Sequence, residues 1–139
     1  YQTVGIIFKP HPRDERIYED MEDRQNIYLA SKYDSIYEIL KLVDIHSTAY
    51  STSSLEALAF GVPNIFVDAG TEIASMFDIV DNTASFRVST PDQYVKIMEY
   101  ILSDYAAVSS HAFQASKRFY EPNAEQKLEK FFVDSGIVT

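Results

Sequence analysis

The sequence predicts an α/β fold in which a parallel sheet is flanked by helices and followed by a helical tail. Short β-like runs alternate with helical patterns as far as Pro91, an order typical of parallel strands joined by crossover helices. Beyond Pro91, apolar residues recur at the helical spacing of about 3.6 residues. The chain has no internal repeat and no obvious linker, so all 139 residues are expected to form one domain.

Each element is predicted from an apolar run and from the boundary signals around it. Strands are expected at about Val4 to Phe8, Asn26 to Leu29, Val43 to His46, Asn64 to Val67 and Phe86 to Val88. Helices are expected at about Asp14 to Met21, Ser35 to Leu42, Thr52 to Phe60 and Glu72 to Phe77, and in the tail around Tyr94 to Leu102, Tyr105 to Tyr120 and Ala124 to Phe132. Ser35 and Glu38 have the spacing of a capping box, and Gly61 followed by Pro63 is the expected order of helix stop signals.

Composition argues against several classes of function. The formal net charge of -9 opposes contact with a nucleic-acid backbone, because that affinity comes largely from Lys and Arg. Without cysteine there is no disulfide and no thiolate zinc site, which agrees with a cytoplasmic location. No apolar run approaches the roughly 20 residues of a transmembrane helix. The histidines lack metal-ligand spacing and no glycine-rich dinucleotide or P-loop motif occurs, so neither a metal nor a cofactor is expected.

The richest candidate site is the hydroxyl cluster Ser51, Thr52, Ser53 and Ser54 at the expected start of a helix. In open α/β sheets ligands bind beyond the carboxyl ends of the strands, and a helix start offers free N–H groups and a dipole that favour a diphosphate. Glu56 lies one turn further on, where it can accept hydrogen bonds from a ribose diol. The alternative is a second capping box, in which Ser53 and Glu56 bond only to backbone N–H groups.

Two further strand exits carry candidate ligands. His11 lies between Pro10 and Pro12, which restrict the backbone there, and its imidazole can donate to phosphate whether neutral or charged. Lys9 adds positive charge beside it, and Ser31 follows the second strand in a loop that could contact a base. The alternative for these residues is a connecting or solvated role in an ordinary loop.

Taken in order, these motifs resemble a known family. The run Lys9-Pro10-His11-Pro12, followed by Ser-Thr-Ser-Ser-Leu-Glu-Ala-Leu-Ala-Phe-Gly-Val-Pro from Ser51 to Pro63, is similar to the Rossmann-like C-terminal half of GT-B-fold glycosyltransferases. The resemblance is to bacterial transferases of capsule, lipopolysaccharide and teichoic-acid synthesis, including polysialyltransferases and glycerophosphotransferases. It covers about Ile6 to Val67.

The resemblance implies an enzyme that transfers a sugar from a nucleotide-activated donor in surface polysaccharide or glycan synthesis, without a metal. It implies that His11 contacts the donor phosphates and stabilises the leaving diphosphate, that Ser51 to Ser54 bind phosphate through hydroxyl and backbone groups, and that Glu56 holds the ribose. The chain starts at Tyr1, and we expect a fragment that lacks an N-terminal acceptor-binding domain and is inactive alone. Peripheral association of the longer protein with a membrane is compatible with this interpretation.

Three alternatives stay open at this point. A nucleotide-sugar 2-epimerase also has a Rossmann-like C-terminal half, although its corresponding helix tends to begin with a glycine-rich, doubly acidic segment that Ser53 to Ala57 lacks. The others are a glycerophosphotransferase of the teichoic-acid type and a binding module without catalytic ability. The sequence identifies neither the base, the sugar, the acceptor nor the general base.

Overall fold

The structure is a computed structural model that describes residues 4–22, 24–68, 70 and 79–135. The chain forms two compact units, Tyr1–Leu42 and Val43–Thr139. Every strand pair in the described residues is parallel, and helices separate the strands along the chain. The predicted α/β class with a parallel, Rossmann-like arrangement and a helical tail is therefore confirmed, with the strands in two small sheets. The expectation of a single domain stays a prediction.

The first unit contains a two-stranded sheet. Its elements are β1 (Ile6–Phe8), α1 (Glu19–Glu22), β2 (Ile27–Leu29) and α2 (Ile36–Leu40). Strands β1 and β2 pair in parallel with Ile6 opposite Ile27. Helix α1 is much shorter than the predicted Asp14 to Met21, because Asp14 organises the preceding segment instead: its carboxylate accepts from Arg16 and from the Tyr18 hydroxyl.

The second unit contains a three-stranded sheet and most of the helices. Its elements are β3 (His46–Thr48), α3 (Ser53–Ala59), β4 (Asn64–Val67), β5 (Ser85–Val88), α4 (Pro91–Ser103), α5 (Tyr105–Ser116) and α6 (Ala124–Asp134). The sheet order is β3-β4-β5. The predicted helix from Glu72 to Phe77 lies outside the described residues. No helix formed by the described residues is both long and apolar enough to cross a bilayer.

The core of the second unit lies between the sheet and the helices α4 and α5. Its buried members, from β4, β5, α4 and α5, are Ile65, Phe86, Val88, Ile101 and Val108. A second cluster packs Leu58 of α3 against Ala112 of α5 and includes Ala84, the residue before β5. Burying these side chains is the main favourable contribution to folding, and it holds α3 firmly against the rest of the unit.

Helix α3 ends in a Schellman motif. Gly61 has a left-handed φ of 72°, its N–H donates to the carbonyl of Leu58, and the N–H of Val62 donates to the carbonyl of Ala57. The predicted stop signal at Gly61 is therefore confirmed, and Pro63 leads directly into β4. This tight ending fixes the distance between α3 and the start of β4.

Two local predictions were wrong. The third strand is His46–Thr48 and shares only His46 with the predicted Val43 to His46, because parallel pairing with β4 begins at His46 opposite Asn64. Ser35 precedes α2 but makes no side-chain capping bond. Glu38 instead accepts from Lys41 at 2.7 Å, so the predicted capping box does not form.

Replacing Gly61 by Ala is expected to destabilise the second unit. A left-handed conformation costs an ordinary residue about 1–2 kcal/mol, and an added Cβ would lie 3.0 Å from the Oγ of Ser109. Gly5→Ala is the matched control, because a Cβ there meets nothing within 4 Å. Urea unfolding should show a loss for Gly61→Ala and almost none for Gly5→Ala. Equal losses in both variants would contradict this role for Gly61.

Candidate functional site

The candidate site is a polar row at one edge of the three-stranded sheet. The first residues of its strands lie side by side, with His46 opposite Asn64 and Asn64 opposite Ser85. Helix α3 contacts both β3 and β4, and its first residue, Ser53, reaches the His46 side chain. Parallel register thus brings residues from three strands and one helix into one hydrogen-bonded network.

Asn64 is at the centre of this network and is completely buried. Its Nδ2 donates to the carbonyl of Ser54 at 3.0 Å and lies 3.4 Å from the Oγ of Ser85. A carbonyl oxygen can only accept, so this contact assigns the amide nitrogen to the side of Ser54. The Oδ1 of Asn64 must then face His46, whose Nδ1 is 2.8 Å away.

The orientation of Asn64 determines the tautomer of His46. Since Oδ1 is an acceptor, the His46 Nδ1 carries the hydrogen, and the Nε2 of the neutral ring presents a lone pair. That lone pair faces the Oγ of Ser53 at 3.1 Å. Burial lowers the pKa of His46 below its ordinary value, and the hydrogen bond with Asn64 only partly opposes this. His46 is therefore a neutral acceptor toward Ser53 at pH 7.

The serine cluster continues the network away from His46. The Oγ of Ser53 and the Oγ of Ser51 are 2.7 Å apart, and the N–H of Ser53 donates to the Oγ of Ser51 at 3.2 Å. Ser54 is buried, and its hydroxyl donates to the carbonyl of Ser51. Thr52 is exposed and makes no side-chain capping bond. Ser51, Ser53 and Ser54 are thus brought together as predicted, and Thr52 points into solvent.

Glu56 carries an unsatisfied buried atom. Its Oε2 is shielded from solvent and has no hydrogen-bond partner among the residues that the structure describes. The alternative of a second capping box is wrong, because the N–H of Ser53 donates to the Oγ of Ser51 and not to Glu56, while the Ser53 hydroxyl contacts His46. A buried acceptor without a partner is rare and costs free energy. The position is therefore one where a ligand hydroxyl would be stabilising.

The backbone at the start of α3 differs from the expectation of free N–H groups. The first N–H groups of the helix already donate within the chain. The N–H of Ser53 donates to the Oγ of Ser51, the N–H of Ser54 to the carbonyl of Ser51, and the N–H of Leu55 to the carbonyl of Thr52. Tight turns of this kind commonly satisfy the first N–H groups of a helix. An anion at this position would therefore be bound by side-chain hydroxyls and not by these backbone N–H groups.

The remaining candidates belong to the first unit. The Nζ of Lys9 donates to the carbonyls of Ser31 and Lys32, so this ammonium organises the loop after β2. Ser31 accepts from the N–H of Tyr33 through its Oγ. His11 is exposed, and its Nδ1 accepts from the N–H of Arg13 at 3.1 Å. In the neutral ring of His11 the hydrogen is therefore on Nε2, which leaves a donor directed away from the backbone.

Three members of the network were not predicted from the sequence. His46 was noted only as the end of a strand, and Asn64 and Ser85 were not singled out. One signal was present for Asn64: it is a polar residue at the first position of the otherwise apolar strand Asn64–Val67. A polar side chain in a buried strand needs hydrogen-bond partners, which is a reason to look for them on neighbouring elements.

Comparison with known proteins does not identify the chain. No family model matches it, and no curated protein matches it. Across the part of the chain that the structure describes, no group of three or more His, Asp or Glu side chains is arranged to hold a metal ion. The chemistry of the site therefore rests on its own geometry.

The buried His46 is expected to make stability depend on pH. Its pKa is lowered by folding, so between that value and the ordinary 6.5 the unfolded chain binds more protons than the folded chain. The free energy of unfolding should therefore fall as pH is lowered through 6.5, and this contribution should level off below the folded pKa. Urea unfolding from pH 7.5 to 5 would measure the slope. His46→Gln should reduce it, and an unchanged slope in that variant would assign the effect to other groups.

Proposed function

We propose that this chain binds the nucleotide of an activated sugar donor and acts as the donor half of a glycosyltransferase in surface polysaccharide or glycan synthesis. The observation that carries the proposal is the buried Oε2 of Glu56, which finds no hydrogen-bond partner in the described residues and lies one helical turn from a cluster of serine hydroxyls. The motif resemblance to GT-B-fold transferases supports the same function.

The Glu56 carboxyl group matches the chemistry of a ribose. Its unsatisfied oxygen needs a hydrogen-bond donor, and a diol offers two neutral O–H donors at adjacent carbons. A donor of this kind recovers the free energy that an unsatisfied acceptor costs the folded chain. No atom in the described part of the chain satisfies it, which favours a ligand contact over a structural one.

The hydroxyl cluster suits the phosphates of the same ligand. Thr52 is exposed at the start of α3, and Ser51 and Ser53 are only partly buried. Hydroxyls can donate to phosphate oxygens without adding positive charge, which fits a chain with a net charge of -9. For the first unit, we propose separately that the Nε2 of His11 donates to a phosphate oxygen, because the Nδ1 of His11 accepts from the N–H of Arg13.

Glu56→Ala is expected to weaken binding of ribonucleoside diphosphates far more than binding of their 2′,3′-dideoxy counterparts. A lost hydrogen bond to a charged group is worth about 1.5–3 kcal/mol, roughly tenfold or more in affinity. Calorimetry with UDP, CDP and GDP and their dideoxy forms would measure the preference. Glu99→Ala, an exposed glutamate on α4, is the matched control and should bind like the unmodified chain.

Two outcomes of that titration would contradict the proposal. If Glu56→Ala changes stability but leaves the preference for ribonucleotides intact, Glu56 does not hold the ribose. If the unmodified chain binds no nucleoside diphosphate at millimolar concentration, the chain is better described as a binding module for other ligands.

The chain incubated with a nucleotide sugar and no acceptor is expected neither to transfer nor to epimerise the sugar. A donor domain binds the nucleotide but relies on an acceptor-binding domain for the other wall of the reaction cleft. NMR of the recovered nucleotide sugar would report its configuration, with UDP-N-acetylglucosamine as the first donor. Conversion at the sugar C2 would favour the epimerase interpretation instead.

A further inference from the structure

Helix α6 carries an exposed apolar stripe along one side. At about 100° of rotation per residue, Leu128, Phe131 and Phe132 lie within an arc of about 100° of the helix surface. Their exposed fractions are 56%, 59% and 39%. The rings of Phe131 and Phe132 meet edge to face, with centroids 5.7 Å apart. The part of the chain that the structure describes thus leaves all three of these large side chains in contact with solvent.

A helix of this length is expected to need a packing partner. Helix α6 has 11 residues and none of them is buried, whereas the preceding helix α5 buries Val108 and Ala112. Isolated helices shorter than about 12–15 residues are marginal in water, and most helical stability in proteins comes from packing of an apolar face. Contiguous exposed apolar surface with a polar rim commonly marks a protein–protein contact. The stripe therefore has the properties of an interface.

The charged residues beside the stripe are separated by sign. Glu125 and Glu129 lie on one side of it, and Lys127 and Lys130 lie on the other. Within α6, the only acid on the lysine side is Asp134, the last residue of the helix. The stripe is thus bordered by an acidic flank and a basic flank.

This separation of charge favours one partner in one orientation. When two copies of such a helix pair in parallel about a twofold axis, the acidic flank of each faces the basic flank of the other. In an antiparallel pair, acid would face acid and base would face base. A second copy of the same helix, running in the same direction, therefore complements α6 along both sides of the stripe.

We propose that α6 is a dimerisation helix, which pairs in parallel with α6 of a second copy of this chain through Leu128, Phe131 and Phe132. This inference goes beyond the proposed function, because it concerns a surface of the second unit that takes no part in nucleotide binding. The ion pair of Lys127 with Glu121, at 2.5 Å, is exposed on both sides. Exposed pairs contribute little, so it does not prevent Lys127 from facing the partner helix.

A lipid surface fits α6 less well than a second copy does. Helices that lie on membranes are rich in Lys and Arg on their polar face, which attracts anionic lipids. Helix α6 has two lysines against two glutamates and one aspartate, and the whole chain has a formal net charge of -9. Repulsion from anionic headgroups therefore opposes a location at the membrane surface.

The size of the stripe sets the expected strength of the dimer. Each partner of a stable complex buries about 800 Å², whereas an aromatic side chain supplies at most about 250 Å² and the stripe contains two. The stripe is therefore smaller than a standard interface. We expect a reversible dimer with a Kd between micromolar and millimolar.

The first test is sedimentation equilibrium of the 139-residue chain from micromolar to millimolar concentration. Phe131→Ser should weaken the dimer by about tenfold or more, because burial of one phenylalanine is lost from each copy. Val133→Ser is the matched control, since Val133 is 53% exposed on the opposite side of α6. This variant should dimerise like the unmodified chain. Equal weakening in both variants would overturn the role of the stripe, and so would a chain that stays monomeric at every concentration.

A second test reverses the charge of each flank. The double variant Glu125→Lys with Glu129→Lys has two basic flanks, and Lys127→Glu with Lys130→Glu has two acidic flanks. Each should remain monomeric alone, and an equimolar mixture of the two should form a heterodimer. Recovery on mixing shows that neither variant has simply unfolded. If each double variant dimerises alone as well as the unmodified chain does, the flanks do not face each other and the inference is overturned.

A third test determines the orientation of the two helices. The chain contains no cysteine, so Ala124→Cys introduces a single thiol one turn before Leu128 on the same side of α6. A parallel twofold pair brings the two copies of this position together, so mild oxidation should give a disulfide-linked dimer. Gln126→Cys, on the far side of the helix, is the control and should stay monomeric. Absence of the Ala124→Cys dimer, or its formation equally in Gln126→Cys, would overturn parallel pairing.

Flotation with vesicles of phosphatidylcholine and phosphatidylglycerol tests the lipid alternative directly. A chain that is monomeric in solution, and that floats with these vesicles unless Phe131 is replaced by Ser, would assign the stripe to a membrane and overturn the inference. A dimer that does not float supports it. The nucleoside diphosphate titration judges the proposed function separately, so either idea can fail without the other.

Discussion

The requirement to satisfy one buried amide organises the second unit. Asn64 lies at the first position of the buried strand β4, where its side chain cannot reach water. Its side chain contacts β3 through His46, the start of α3 through the carbonyl of Ser54, and β5 through Ser85. Its backbone N–H also donates to the carbonyl of Ala84. An amide left without these partners would be costly, so the surrounding elements are held in the one arrangement that supplies them.

The short helix α3 links this network to the apolar core. Its buried residues Ala57 and Leu58 face the interior, and Leu58 packs with Ala112 of α5. Gly61 terminates the helix and returns the chain to β4, while the serines at its start close onto His46. Apolar packing on one side and hydrogen bonds on the other give Ser51, Ser53 and Glu56 defined positions, which a flexible loop would not provide.

Burial of side chains near the start of α3 has different consequences for Glu56 and for His46. Removal from water leaves an acceptor of Glu56 without a partner in the part of the chain that the structure describes, and it lowers the pKa of His46. The fold tolerates the first because hydrophobic burial outweighs a single unsatisfied group, and the second because Asn64 and Ser53 satisfy the neutral ring.

The sequence by itself determined the α/β class, the helical tail, strand β4 and the end of α3, because apolar periodicity and the glycine and proline signals act over a few residues. It also indicated that the serines near Ser53 form one cluster, since neighbours in a chain stay neighbours in space. Only the tertiary structure decided where β3 begins, why α1 is short, and that His46, Asn64 and Ser85 join the cluster. Those features depend on strand register and on contacts between residues distant in the chain, and a one-residue change of register would send each side chain to the other face of the sheet. The register cannot be predicted from residues close together in the sequence, because it is set only when the strands pair.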